Sequence, residues 1–131
     1  MSATLLQAIK AHIIDDGELL DGYAVRYYRW RDSDLAGTLP VVLFRRSGTG
    51  GTSDHEVQFP DVSIQIVVDP AAVVTGDSDM TAVVRYCRAN YTTSGVFNIQ
   101  PLGEMTGPTY LQNGRAMFEI VLRCGVTETS A

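Results

Sequence analysis

Apolar residues near the N-terminus recur at the spacing of one helical face, at positions Leu5, Leu6, Ile9 and Ile13. This stripe predicts an amphipathic helix over residues 3–16, ended by the Asp-Asp-Gly run at 15–17. Thr4 and Gln7 lie three residues apart and predict a capping box at the first turn of the helix, with Ser2 as the competing cap.

A second stripe of helical spacing comprises Met80, Val83, Val84 and Cys87. It predicts a second helix that Gly76–Asp79 opens, with Asp77 or Ser78 as the N-cap. A stripe of this kind usually faces a protein core, so we assign it to packing and not to a cofactor site.

Period-two alternation predicts strands. From Val62 to Val68 every second residue is apolar, while Ser63 and Gln65 lie between them, which is typical of a half-buried strand. Weaker alternation or short apolar runs predict further strands, at Tyr23–Trp30, Val41–Phe44 and Val96–Pro101. The polar stretch Asp32–Gly37 is expected to form a loop.

Asn113–Gly114 is the strongest hairpin signal, because a two-residue turn of this kind needs positive φ at both positions. It leads into a final strand over Arg115–Cys124, whose inward residues are expected to be Phe118, Ile120 and Leu122. Two main helices packed on a mostly antiparallel sheet make an α+β fold. We expect one domain over residues 1–125 and a frayed tail at 126–131.

The 131 residues carry a formal net charge of −5, which argues against binding dominated by nucleic-acid phosphates. Arg26, Arg29 and Arg31 form a small basic cluster, but Asp32 and Asp34 follow at once, so a solvated strand end is favoured over a nucleic-acid patch. No run is apolar for long enough to predict a transmembrane helix, and the pattern indicates a cytosolic product.

A glycine-rich segment at 47–56 carries no recognisable catalytic motif. It lacks the lysine of a phosphate-binding loop, and no helical pattern follows it. Asp54, His55 and Glu56 are adjacent on this segment and are not expected to converge on one metal ion. Cys87 and Cys124 fit no metal-binding spacing and are interpreted as buried thiols, with a disulfide as the less favoured alternative. We therefore predict no enzyme activity, no cofactor and no metal.

The segments LPVVLFRRSGTGGTSDHEVQFPDVSIQIVV and GPTYLQNGRAMFEIVLRCGV, separated by a helix, resemble the tail-terminator (tail-completion, minor tail) proteins of long-tailed bacteriophages. The helix-first order and the late strand after the Gly-Pro and Asn-Gly turns extend the resemblance over residues 3–125. It implies a virion protein at the head-proximal end of the tail, assembled in the host cytoplasm.

The resemblance further implies a six-membered ring that caps the tail tube, stops its polymerisation and presents a surface to the head. The implied partners are further copies of the chain, the tail tube protein and the head–tail connector protein. No membrane is involved, and DNA only passes through. A neighbouring head–tail joining role is not separable from this one by sequence.

We expect contacts with a neighbouring subunit or the tail tube at a strand end, its glycine-rich loop and an aromatic run. These candidates are Arg45, Arg46, Ser47, Gly48, Thr49, Gly50, Gly51, Thr52, Ser53, Asp54, His55, Glu56, Tyr28 and Trp30. Exposed tyrosine, tryptophan and arginine are enriched at contact surfaces. An ordinary surface hairpin and a core-facing aromatic run are the alternatives.

Two other function classes stay open on the sequence. A small-ligand-binding α+β domain, monomeric or dimeric, would use residues 47–56 as a lid over an apolar pocket with convergent polar groups. An enzyme would have to use Asp54, His55 and Glu56.

Overall fold

A mixed sheet forms the centre of the fold in the computed structural model, which describes residues 4–48, 57–93 and 95–127. Its seven strands are β1 (Ala24–Tyr27), β2 (Val41–Gly48), β3 (Val57–Gln58), β4 (Asp61–Val68), β5 (Val96–Pro101), β6 (Thr106–Tyr110) and β7 (Ala116–Thr127). β1 and β2 are parallel, and the other described pairs are antiparallel. The predicted α+β class is confirmed.

The long strand β7 organises the sheet. β3 and β4 follow one another along one side of β7, and β5 and β6 along the other side. β2 lies beyond β4, and β1 forms the edge beyond β2. β7 continues to Thr127 and buries Val126 completely, so it passes the predicted domain end at residue 125. Residues 128–131 lie outside the described residues.

The helices are α1 (Leu5–Lys10), which continues as a π-helical segment (Ala11–Asp16), α2 (Asp32–Ala36) and α3 (Val73–Ala89), the last preceded by a 3₁₀ turn (Pro70–Ala72). The predicted capping box is confirmed: the Gln7 N–H donates to Thr4 Oγ1 at 3.2 Å, and the Thr4 N–H donates to Gln7 Oε1 at 3.1 Å. Ser2 lies outside the described residues. None of the described helices is long and apolar enough to cross a bilayer.

The core lies between the helices and one face of the sheet. The two predicted helical stripes and the predicted inward residues of β7 all belong to it. Its largest fully buried side chains include Phe44, Phe118, Leu6, Ile9, Ile13, Ile64, Ile66, Met80, Ile120 and Leu122.

The predicted start of the second helix was wrong. α3 begins at Val73, and Asp69 caps the preceding 3₁₀ turn by accepting a hydrogen bond from the Ala71 N–H at 2.9 Å. Gly76 lies inside α3, where an added Cβ would stand 3.0 Å from the Phe118 ring and 3.0 Å from Val68. The glycine allows α3 to approach the sheet and does not mark the helix start.

Residues 32–37 were predicted as a loop, but α2 occupies most of them. The Asp34 carboxylate accepts a hydrogen bond from the Arg31 N–H at 2.8 Å, which satisfies a free donor at the first turn. The same carboxylate pairs with Arg26 on β1, so a tertiary contact stabilises a helix too short to show periodicity.

β4 is buried on both faces, whereas the alternation predicted a half-buried strand. Ser63 and Gln65 are buried because Glu119 on the neighbouring strand accepts a hydrogen bond from each, at 2.5 Å and 3.0 Å. Val67, on the same face, is completely buried. The polar residues of this alternating pattern therefore lie in the interior with their hydrogen bonds satisfied, and they do not face solvent.

The predicted β6–β7 hairpin is present, but its turn is longer than two residues. The Leu111 carbonyl accepts a hydrogen bond from the Gly114 N–H at 2.9 Å, and the Leu111 N–H donates to the Arg115 carbonyl at 2.8 Å. Gly114 has φ +87°, while Asn113 does not share the positive φ that a two-residue turn would require.

Candidate functional site

The ends of β1 and β2 bring two separately predicted contact regions together. Tyr27 lies opposite Phe44 in the parallel pair, so Tyr28 leaves the sheet beside Arg45, which stays paired with β4. The Tyr28 N–H donates to the Phe44 carbonyl at 2.9 Å. The aromatic run and the arginine pair thus belong to one surface. We call it the arginine tip, and it comprises Tyr28, Arg29, Trp30, Arg31, Arg45 and Arg46.

Four exposed arginines supply the positive charge of the tip. Arg29, Arg31, Arg45 and Arg46 are all exposed, and none forms an ion pair with another described residue. Arg45 lies opposite Ser63 and Arg46 opposite Val62, so the two arginines point to opposite faces of the sheet. The tip therefore presents positive charge on both faces.

Tyr28 has an unusual backbone conformation. Its φ is +74°, a value that costs a non-glycine residue roughly 1–2 kcal/mol, and its side chain is 60% exposed. Strained, exposed aromatic residues are found disproportionately at functional surfaces. Trp30 is half-buried, whereas Tyr27 packs on the core with its ring centroid 6.2 Å from that of Phe44.

Two carbonyls on the outer edge of β1 are occupied by hydrogen bonds from their own chain. The Val25 carbonyl accepts a hydrogen bond from Arg26 Nη1 at 3.1 Å, and the Tyr27 carbonyl accepts one from the Arg29 N–H at 2.9 Å. These carbonyls would otherwise receive an added strand. These two carbonyls are therefore not free to accept hydrogen bonds from an added strand. The sequence did not indicate this role of Arg26.

The other predicted contact residues are described less fully. Ser47 is exposed at the end of β2, and the backbone of Gly48 pairs with Asp61. Residues 49–56 lie outside the described residues, so the roles predicted for the glycine-rich loop, and for Asp54, His55 and Glu56, stay predictions.

A second charged surface lies on the segment that leads from α1 to β1. It comprises the exposed carboxylates Asp15, Asp16, Glu18 and Asp21, and we call it the acidic surface. Lys10 Nζ pairs with Asp15 at 3.1 Å, and no other residue of this surface forms an ion pair with a described residue. The sequence pattern suggested only that Asp15 and Asp16 end a helix.

The neighbouring tyrosine is half-buried and is hydrogen-bonded to α3. The Tyr23 hydroxyl donates to Asp79 Oδ2 at 2.7 Å. Burial raises the pKa of Tyr23, and the hydrogen bond from its hydroxyl to Asp79 raises it further. Tyr23 therefore stays neutral and anchors the segment between the acidic surface and β1.

A polar cleft of about 590 Å³ lies where the π-helical segment meets the end of α3, and its lining includes His12, Asp16, Tyr86, Asn90, Tyr91 and Thr93. His12 is buried: its Nε2 donates to the Asn90 carbonyl at 2.7 Å, and its ring centroid lies 5.0 Å from that of Tyr86. These contacts account for His12 structurally.

The described residues offer no cluster of metal ligands. No three His, Cys, Asp or Glu side chains within the described ranges are grouped so as to hold an ion. Cys87 and Cys124 are both buried and free, which confirms the interpretation of two thiols. Burial raises the pKa of each to about 12, so neither is a ready nucleophile.

Comparisons with known proteins identify both family and fold. The family model described as phage tail termination protein matches residues 2–128. A chain from the virion of a native gene transfer agent (GTA) particle superposes with a TM-score of 0.63 and 18% identity, over 95% of each chain, which shows a shared fold. No curated protein sequence matches significantly.

Proposed function

Because the chain belongs to the phage tail termination protein family, we propose that it forms a ring on the phage tail tube, ends polymerisation of the tube and presents the surface to which the head attaches. The family match carries this proposal, since it spans nearly the whole chain. The role needs complementary surfaces and no reactive group.

The proposed partners are further copies of the chain, six in the ring, the tail tube protein and the head–tail connector protein. DNA passes through the ring. The proposed location is the head-proximal end of the tail, after assembly in the host cytoplasm. The exposed arginine tip and the occupied outer carbonyls of β1 support contacts made by side chains at this surface.

The cleft beside His12 gives no support to the small-ligand alternative. A ligand-binding domain of this size is expected to enclose an apolar pocket. The cleft beside His12 is instead an open groove lined largely by hydroxyl, amide, carboxylate and imidazole groups.

The proposal is tested by mixing purified protein with purified tail tubes and imaging the products by negative stain. We expect rings at one end of the tubes, and tubes so capped should no longer extend when tube protein is added. Light scattering over a concentration and salt series reports whether rings form before docking. Protein that never forms a ring and leaves tube ends bare and extending would refute the proposal.

A further inference from the structure

Asp21 of the acidic surface precedes β1 and Arg29 of the arginine tip follows it, so these two residues lie at opposite ends of the strand. A strand of this length spans roughly 13 Å, longer than a salt bridge and longer than the screening length of about 8 Å in physiological salt. Asp21 and Arg29 therefore do not neutralise each other within one copy.

We propose that the arginine tip of one copy binds the acidic surface of the next copy in the ring, an inference that rests on the function proposed above. A two-fold contact of tip with tip would place arginine against arginine. A contact between two different surfaces of identical chains is head-to-tail, and it generates a ring when the rotation between copies closes.

The chemistry of the two surfaces is complementary. Guanidinium groups bind carboxylates through paired hydrogen bonds, and Arg29, Arg31, Arg45 and Arg46 have no carboxylate partner among the described residues. Tyr28 belongs to the same tip, and its exposed ring can supply an aromatic anchor. The outward carbonyls of Val25 and Tyr27 are already hydrogen-bonded, which favours a contact made by side chains at this end of β1.

A nucleic acid is the competing occupant of the arginine tip, since arginines interleaved with aromatic residues also suit phosphates and bases. The net charge of −5 favours a protein carboxylate surface instead. The chain itself carries such a surface in every copy.

The test uses charge reversal in two complementary variants, Arg45→Glu/Arg46→Glu at the tip and Asp16→Lys/Asp21→Lys at the acidic surface. Each variant alone should lower the ring population at least tenfold at a protein concentration where the wild type assembles. An equal mixture should restore rings, because alternating copies then pair glutamate with lysine and arginine with aspartate. Light scattering and negative stain measure both results.

The matched control is Arg85→Glu/Arg88→Glu, which makes the same charge change on exposed residues of α3. It should assemble as the wild type does. Circular dichroism checks that every variant is folded.

Each other outcome has a separate meaning. Normal rings from both reversal variants would overturn the inference and leave the proposed ring function standing. Loss of rings in each variant without rescue in the mixture would also overturn it. So would a tip variant that keeps its rings but loses duplex-DNA binding, which fluorescence anisotropy measures. Failure of the wild type itself to form rings, in solution or on tube ends, would instead remove the proposed function.

Discussion

Arg26 on β1 and Asp34 on α2 form a bidentate ion pair, with Nε to Oδ2 and Nη2 to Oδ1 both at 2.9 Å. The Asp34 side chain is 3% exposed and that of Arg26 is 21% exposed. Asp34 Oδ2 also accepts from the Arg31 N–H, and the Asp34 carbonyl accepts from the buried Arg115 guanidinium. Asp34 therefore fixes α2 to the sheet through both its side chain and its backbone.

Replacing Asp34 with asparagine should lower the free energy of unfolding by roughly 2–4 kcal/mol, because the neutral amide leaves Arg26 partly buried without its counter-charge. Urea denaturation measures the change. Asp32→Asn is the matched control on an exposed residue of the same short helix, and it should stay within about 0.5 kcal/mol of the wild type. Equal effects of the two substitutions would show that the ion pair does not stabilise α2.

The same carboxylate should give the protein an acid-sensitive component of stability. Burial alone would raise the pKa of Asp34, but hydrogen bonds from Arg26 and from the Arg31 N–H outweigh it and hold the pKa below its ordinary value of 3.8. A lowered folded-state pKa stabilises the protein fully above the unfolded value, and the stabilisation is lost as pH falls through the folded value.

The stability difference between wild type and Asp34→Asn should therefore be constant from pH 7 to about pH 5 and shrink below about pH 4. Urea denaturation at a series of pH values tests this. A difference that stays the same down to pH 2 would exclude ionisation of Asp34 as its origin.

Gly103 and Gly107 both have positive φ, but their surroundings differ. At Gly107 an added Cβ would lie 2.7 Å from the Met117 carbonyl oxygen and 2.8 Å from the Phe118 ring, whereas nothing lies within 4 Å at Gly103. Gly103→Ala should cost about 1 kcal/mol, the conformational penalty alone. Gly107→Ala should cost at least about 2 kcal/mol more, because the backbone of β7 must move. Thermal unfolding compares them, and equal costs would show that β6 adjusts freely.

Hydrophobic periodicity correctly predicted the helices and the strand that each bury one face in the core. The stripe ending at Ile13, the stripe ending at Cys87 and the inward residues of β7 were all placed correctly, since each pattern depends on local spacing alone. The Thr4–Gln7 capping box was equally readable, because both of its partners lie within one turn.

Elements that depend on distant partners could not be predicted from local sequence patterns. α2 depends on the Arg26–Asp34 pair, and burial of Ser63 and Gln65 depends on Glu119 more than fifty residues away. The arginine tip likewise depends on residues that are distant in sequence. Tyr28 and Arg45 were each identified from sequence, but their meeting follows from the parallel pairing of β1 with β2, which no local pattern encodes.

The two core thiols should not react with thiol reagents until the protein unfolds. Cys87 on α3 and Cys124 on β7 are fully buried, and with the pKa of each near 12 about one thiol in ten thousand is ionised at pH 8. A small aromatic disulfide reagent should therefore detect almost no thiol in the native protein over minutes. In concentrated urea it should detect both, without prior reduction. Rapid reaction of one thiol in the native protein would reveal local opening between α3 and β7, and a requirement for reductant would show that the two cysteines are joined as a disulfide.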